Sequence, residues 1–167
     1  MRTNVLQYEE NPKAVTELPA NVAVHCRNVV KSYGTGSAKV MALRGIDLDV
    51  YKGELLMLVG PSGCGKTTLI SVIAGILDQD SGDCRVLGED LMAMGQRRKT
   101  RFRGQNIGFV FQAFNLLEHL DVLRNVTIPA SFAKQPKKDI EERGREALRR
   151  VGLTDFVHRR PAELSGG

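Results

Sequence analysis

Residues 54–68 read Glu-Leu-Leu-Met-Leu-Val-Gly-Pro-Ser-Gly-Cys-Gly-Lys-Thr-Thr, and no other stretch restricts the fold so tightly. Glu54–Val59 is a continuous apolar run after its first residue, the pattern of a strand covered on both faces of a sheet. It runs into Gly60-Pro61-Ser62-Gly63-Cys64-Gly65 and then into residues 66–75, whose apolar side chains are numerous enough for a buried helix. The predicted order is central strand, glycine loop, helix. Glycines let successive backbone N–H groups turn inward into a concavity, and the following helix presents its positive end to the same point. Lys66 adds a mobile cation suited to β- and γ-phosphates, and the Thr67 hydroxyl can ligate Mg²⁺. A glycine-rich turn without a ligand is the competing reading, and the apolar run before the loop and the helix after it argue against that. Cys64 reads as a small filler residue within the loop, with a reactive thiol beside Lys66 as the alternative.

The rest of the chain supplies a frame for this unit. Its 167 residues, 42% apolar and 26% charged, are one domain's worth of folded chain. Residues 1–21 are polar, with Pro12 and Pro19, and read as a leader or linker. From Val22 the pattern alternates, with Val22, Val24 and Cys26 on one face and later Ile46, Leu48 and Val50 between polar neighbours. These are half-buried strands joined through a turn at Gly34–Ser37. Short strands are expected at Cys84–Leu87 and Ile107–Phe111, with a less regular stretch at Gln112–Pro129. A helix over Lys137–Val151 carries an apolar stripe of Ile140, Ala147, Leu148 and Val151, and Lys137/Glu141 and Glu146/Arg150 are charge pairs on its wet side. Gly144 weakens that helix without breaking it.

Composition excludes several classes. The formal charge of +5 resides in Arg97–Arg103, where five basic residues stand without an acid, and the remainder is neutral. Such a run is more often a solvated helix face than a nucleic-acid or lipid-headgroup footprint. Cys26, Cys64 and Cys84 are far apart in sequence and form no CxxC pair, so neither a disulfide framework nor a zinc site is expected. His25, His119 and His158 show no ligand spacing. The amino terminus lacks the apolar core of a signal peptide, and Leu69–Leu77 is far short of the about 20 apolar residues that span a bilayer. The expected location is the cytoplasm.

Many phosphate-binding proteins share such a loop, and the discriminating segment is Leu164-Ser165-Gly166-Gly167. Taken in order with Tyr33, Gly60–Thr68 and Gln112, it resembles the nucleotide-binding domain of ABC transporters over about Val22–Gly167. The resemblance implies an α/β P-loop NTPase fold: an antiparallel β portion, a parallel core sheet and a helical subdomain. The nucleotide is expected at the carboxyl end of the Glu54–Val59 strand. It further implies ATP and Mg²⁺ as ligands. Tyr33 matches the aromatic residue that stacks on adenine. Gly60, Pro61, Ser62, Gly63, Cys64, Gly65, Lys66, Thr67 and Thr68 match the phosphate loop, with Lys66 also catalytic. Gln112 matches the glutamine loop, whose side-chain oxygen approaches Mg²⁺ and the attacking water. Leu164, Ser165, Gly166 and Gly167 match the signature that meets the γ-phosphate held by the opposite protomer of a head-to-tail dimer. Phe111–Leu117, Asn125-Val126, Pro129 and Ala42–Gly45 look like the exporter subgroup of macrolide, lipoprotein-release and glycolipid systems. The implied partners are a membrane-spanning permease subunit and a second ATP-binding subunit, with no nucleic acid, on the cytoplasmic face of the membrane.

The family pattern continues past the signature into a helix, an apolar strand ending in Asp-Glu and a switch histidine, and none of these occurs in residues 1–167. The expectation is therefore an incomplete domain, 22–167, lacking its carboxyl-terminal part and inactive alone. The phosphate-loop strand would then face an empty place in the sheet. The alternatives are a non-catalytic ATP-binding fragment or regulatory remnant, and a soluble ABC-type ATPase acting on nucleic acid.

Overall fold

β1 (Val22–Tyr33) begins where the sequence places the end of the leader. The computed structural model describes residues 19–131 and 136–165, so most of the leader, and Gly166 and Gly167 of the expected signature, lie outside the described residues. β1 pairs antiparallel with β2 (Val40–Tyr51) on one side and with β3 (Ser81–Val86) on the other. β4 (Glu89–Asp90) pairs antiparallel with β3, giving the order β2-β1-β3-β4. The strict alternation read from Val22–Cys26 is broken at Asn28, which takes φ +49° while its N–H donates to Asp47 Oδ1 at 2.6 Å. The resulting bulge lets Cys26 and Val29 both turn inward.

α1 (Lys66–Ile73) lays Leu69 and Val72 on the sheet, in one core with Cys26, Val29, Leu43 and Cys84. It is buried on one face and not all round, since Ile70 is 43% exposed. Its carboxyl end turns through Gly75 at φ +63°, where the Ile76 N–H donates to Ser71 O at 2.9 Å. The basic segment is a helix, α2 (Gln96–Asn106), but its charges do more than face solvent. Lys99 is buried and ion-paired with Asp78, Arg103 donates to Gly75 O at 3.0 Å, and Arg98 pairs with Glu89 at 2.9 Å. Arg97 and Arg101 are exposed.

Two expected strands are corrected. Neither Glu54–Val59 nor Ile107–Phe111 has regular secondary structure, and no parallel ladder forms among the described residues. A strand exists only where a neighbour accepts and donates its backbone hydrogen bonds. Here β2, β1, β3 and β4 pair among themselves, and no described strand pairs with either run. Leu58 packs on the α1 core, whereas Leu55 and Val59 are 90% and 86% exposed. Leu58 is the one residue of the run that is not exposed, and it is only half-buried.

The chain divides after Arg103 into two units, Met1–Arg103 and Gly104–Gly167. In the second, α3 (Val122–Ser131) occupies ground expected to be irregular and has Pro129 in its last turn. It packs on α4 (Lys137–Arg150), burying Val122, Leu123 and Thr127 near Ile140, Gly144 and Leu148. The α4 stripe is thus Ile140-Gly144-Leu148, spaced by four, while Ala147 and Val151 are exposed. Gly144 is the close-approach point: a Cβ there would lie 2.5 Å from Thr127 Cγ2. Both expected charge pairs form, Lys137–Glu141 at 3.9 Å and Glu146–Arg150 at 3.0 Å. Arg149 and Arg150 hold the Glu146 carboxyl down to about 2. Among the described residues no helix is long and apolar enough to cross a membrane.

Candidate functional site

The glycine loop of the first unit is shaped from the helix side. Gly65 caps α1 at φ +94°, and a Cβ on it would collide with the Ala42 carbonyl of β2, so only glycine allows both the turn and the close approach. The loop is then closed by Cys64 N–H donating to Pro61 O at 3.4 Å and by Leu69 N–H donating to Gly65 O at 2.9 Å. The Lys66 ammonium lies across it, donating to Gly60 O and Pro61 O at 2.7 Å each, with Cys64 Sγ at 3.4 Å. The first-turn amides of α1 have no intrahelical carbonyl to bond. Residues 60–68 contain no carboxylate, so the available donors are amides, hydroxyls and one ammonium, a set that fits a phosphate chain.

Tyr33 ends β1 beside this loop, its phenol oxygen 3.4 Å from Thr68 Oγ1 and its ring about half exposed. Sequence reasoning missed the group that fixes it. Asp80 accepts from Lys31 Nζ at 2.7 Å, from Ser32 N–H at 2.7 Å and from Ser32 Oγ at 2.6 Å, clamping the carboxyl end of β1. The Lys31 ammonium, followed by the two Ser32 donors, holds the Asp80 carboxyl well below the usual carboxylate range. The Asp80-Ser81-Gly82 sequence signals a turn, but nothing in it points back to Lys31 and Ser32.

Gln112, Leu164 and Ser165 belong to the second unit. Gln112 sits exposed in a bend. The segment following it meets the segment around the expected signature: Phe114, Asn115, Leu116, Pro161, Leu164 and Ser165 share an open cavity of about 340 Å³. Asn125 fixes the approach to α3, accepting from Leu117 N–H at 2.8 Å and donating to Leu117 O at 3.1 Å. Among the described residues no three His, Cys, Asp or Glu side chains cluster as a metal site. Mg²⁺ would have to rely on hydroxyl, amide and phosphate oxygens, and the exposed Thr67 hydroxyl is of that kind.

Residues 43–167 match the family described as ABC transporter. The chain belongs to that family. An ABC transporter ATP-binding protein of Thermotoga maritima is 45% identical over 141 residues, which is 84% of this chain and 60% of that protein. The lipoprotein-releasing system ATP-binding protein LolD of Bacteroides thetaiotaomicron is 40% identical over 144 residues, 86% of this chain and 64% of that one. Among solved structures, the dimeric post-hydrolysis state of the ATP-binding cassette MJ0796 bound to ADP and Pi superposes with a TM-score of 0.80 at 31% identity. That match covers 86% of this chain and 63% of MJ0796. This ABC family chain therefore has the cassette fold class and spans between 60% and 64% of the length of these proteins.

Proposed function

We propose that residues 22–167 form an ATP-binding domain of an ABC exporter, working on the cytoplasmic face of a membrane with a permease subunit and a second ATP-binding subunit. The observation that carries this reading is the Lys66 ammonium bridging the Gly60 and Pro61 carbonyls at the first turn of α1. With nucleotide present, that ammonium exchanges two carbonyls for the β- and γ-phosphates while the amides of residues 63–68 donate to the same oxygens. Tyr33 offers its ring to adenine. Thr67 would hold Mg²⁺, which would draw charge from the phosphates and orient them. Leu164, Ser165, Gly166 and Gly167 act in trans, on the nucleotide of the second subunit, so ATP binding closes a dimer and hydrolysis opens it.

The exporter assignment is supported by the identity with a lipoprotein-releasing ATP-binding protein. The nucleic-acid reading is disfavoured because three of the five charges that would form the footprint, Arg98, Lys99 and Arg103, are engaged within the fold. Residues 1–167 contain no Asp-Glu pair, so the carboxylate that would polarise water is not supplied by them and turnover by these residues alone is expected at background.

The deciding experiment is equilibrium binding of a fluorescent ATP analogue with Mg²⁺. Lys66→Ala should weaken binding at least about tenfold, corresponding to about 1.4 kcal/mol for one lost charge-assisted contact. Unchanged affinity in Lys66→Ala would reject the site.

A further inference from the structure

Two of the three cysteines, separated by 58 positions in the chain, meet in the core of the first unit. Cys26 of β1 and Cys84 of β3 are direct partners in the antiparallel register, and their sulfurs stand 3.6 Å apart. Both are free thiols, fully buried or nearly so, in the core shared with Leu69 and Val72 of α1. Directly opposed residues of an antiparallel pair have Cα atoms about 4.5–5.5 Å apart, inside the range of about 4.4–6.8 Å that a disulfide bridges. Closing the bond therefore needs side-chain rotation and no relocation of either strand.

We propose that Cys26 and Cys84 form a peroxide-responsive dithiol that closes to a disulfide across β1 and β3. The two thiols are not equivalent. Their mutual hydrogen bond draws Cys26 below the ordinary thiol range and pushes Cys84 above it, so Cys26 is the attacking sulfur. Its thiolate attacks one oxygen of hydrogen peroxide, the O–O bond breaks, and hydroxide leaves as water after taking a proton, leaving a sulfenic acid on Cys26. The Cys84 sulfur then attacks the Cys26 sulfur. The S–O bond breaks as the S–S bond forms, and the hydroxyl departs with the Cys84 proton as a second water. Two thiols lose two electrons and two protons, and one peroxide becomes two waters.

Burial ordinarily leaves a cysteine inert. This pair differs because a resolving thiol is already in van der Waals reach, so a single encounter with a small neutral oxidant is trapped as the disulfide. The closed ring would enclose residues 27–83, including the phosphate loop and the whole of α1. Oxidation would then tie β1 to β3 beneath α1, and unfolding of the first unit would become sensitive to reductant.

The test is to expose the folded chain to hydrogen peroxide, quench and denature it in acid, alkylate the remaining thiols and map the peptides. The expected result is a Cys26–Cys84 linked peptide pair that a reductant separates, with the urea midpoint of the first unit raised in the oxidised form and restored by dithiothreitol. In Cys84→Ala the linked species should vanish, and Cys26, having lost the hydrogen bond that lowers its thiol, should be recovered alkylated. The proposal is overturned if both Cys26 and Cys84 are recovered alkylated, or if the only disulfides formed contain Cys64. Reading the native chain by mass keeps the outcome decisive even where the alanine variant folds poorly.

Discussion

The two sides of the phosphate loop are held very differently. On the exit side, α1 is pinned by Leu69 and Val72 in the core, by Gly65 against the Ala42 carbonyl, and by Arg103 at its carboxyl end. On the entry side, Glu54–Val59 has no ladder partner among the described residues and is anchored through Leu58. A loop with apolar residues on both flanks is thus shaped from one flank. Apolar content makes a segment able to be buried, while hydrogen-bonding partners decide whether it becomes a strand.

The sharpest way to break this comparison is Gly65→Ala. It forces a left-handed conformation on a residue with a Cβ and drives that Cβ into a backbone carbonyl that cannot step aside. The expected cost is about 3–5 kcal/mol in urea unfolding, together with loss of nucleotide binding. Near-native stability would mean that α1 and β2 are less firmly docked than the geometry indicates. Next in size is Leu69→Ala, expected to cost about 2–4 kcal/mol as a core truncation. Its counterpart on the entry side, Leu55→Ser, should lie within about 0.5 kcal/mol of the parent. If the two changes cost the same, the entry run is packed in solution and the asymmetry is wrong.

How much of this was legible in the sequence depended on the range of the interaction. The loop, α1, the β1–β2 hairpin with its turn, and α4 all follow from neighbours within a few residues, where glycine spacing, alternation and helical period speak directly. Tyr33 was singled out only through resemblance, and its contact with Thr68 had no signal in the sequence. The Cys26–Cys84 contact, the Lys99–Asp78 pair and the Asp80 clamp join positions 58, 21 and 48 or 49 residues apart, and no local pattern encodes them. The strand expected at Glu54–Val59 was misread for the same reason, because its partner is a matter of topology and not of its own residues. Gly144 shows the reverse error: a residue read as a weakness of α4 is what lets α3 approach.

That glycine provides a measure of Gly65 by contrast. At Gly144 the helix itself would welcome a Cβ, and the obstruction is a side chain, Thr127 Cγ2 at 2.5 Å and Leu123 Cδ1 at 3.0 Å. Side chains can yield where a carbonyl cannot. Gly144→Ala should therefore cost only about 1–2 kcal/mol, partly offset by helix propensity. The change should reduce helical stability in the second unit and leave nucleotide binding to the first unchanged.

The smallest effect expected on the held side of the loop is electrostatic. Asp80 stays ionised because Lys31 and Ser32 donate to it, so its folded value lies below its unfolded value of about 3.9. A depressed carboxylate contributes stability that is fully present above the unfolded value and is lost as the pH falls through the folded one. Its clamp should therefore act undiminished at neutral pH and slacken only below about pH 4. Asp80→Asn keeps the shape but removes the charge, and should abolish that acid-side dependence while slightly lowering stability at pH 7. The clamp fixes Lys31 and Ser32 immediately before Tyr33, so the same variant should weaken binding of an adenine nucleotide more than binding of inorganic triphosphate. Equal losses for the two ligands would show that Asp80 supports the strand without setting the position of the Tyr33 ring.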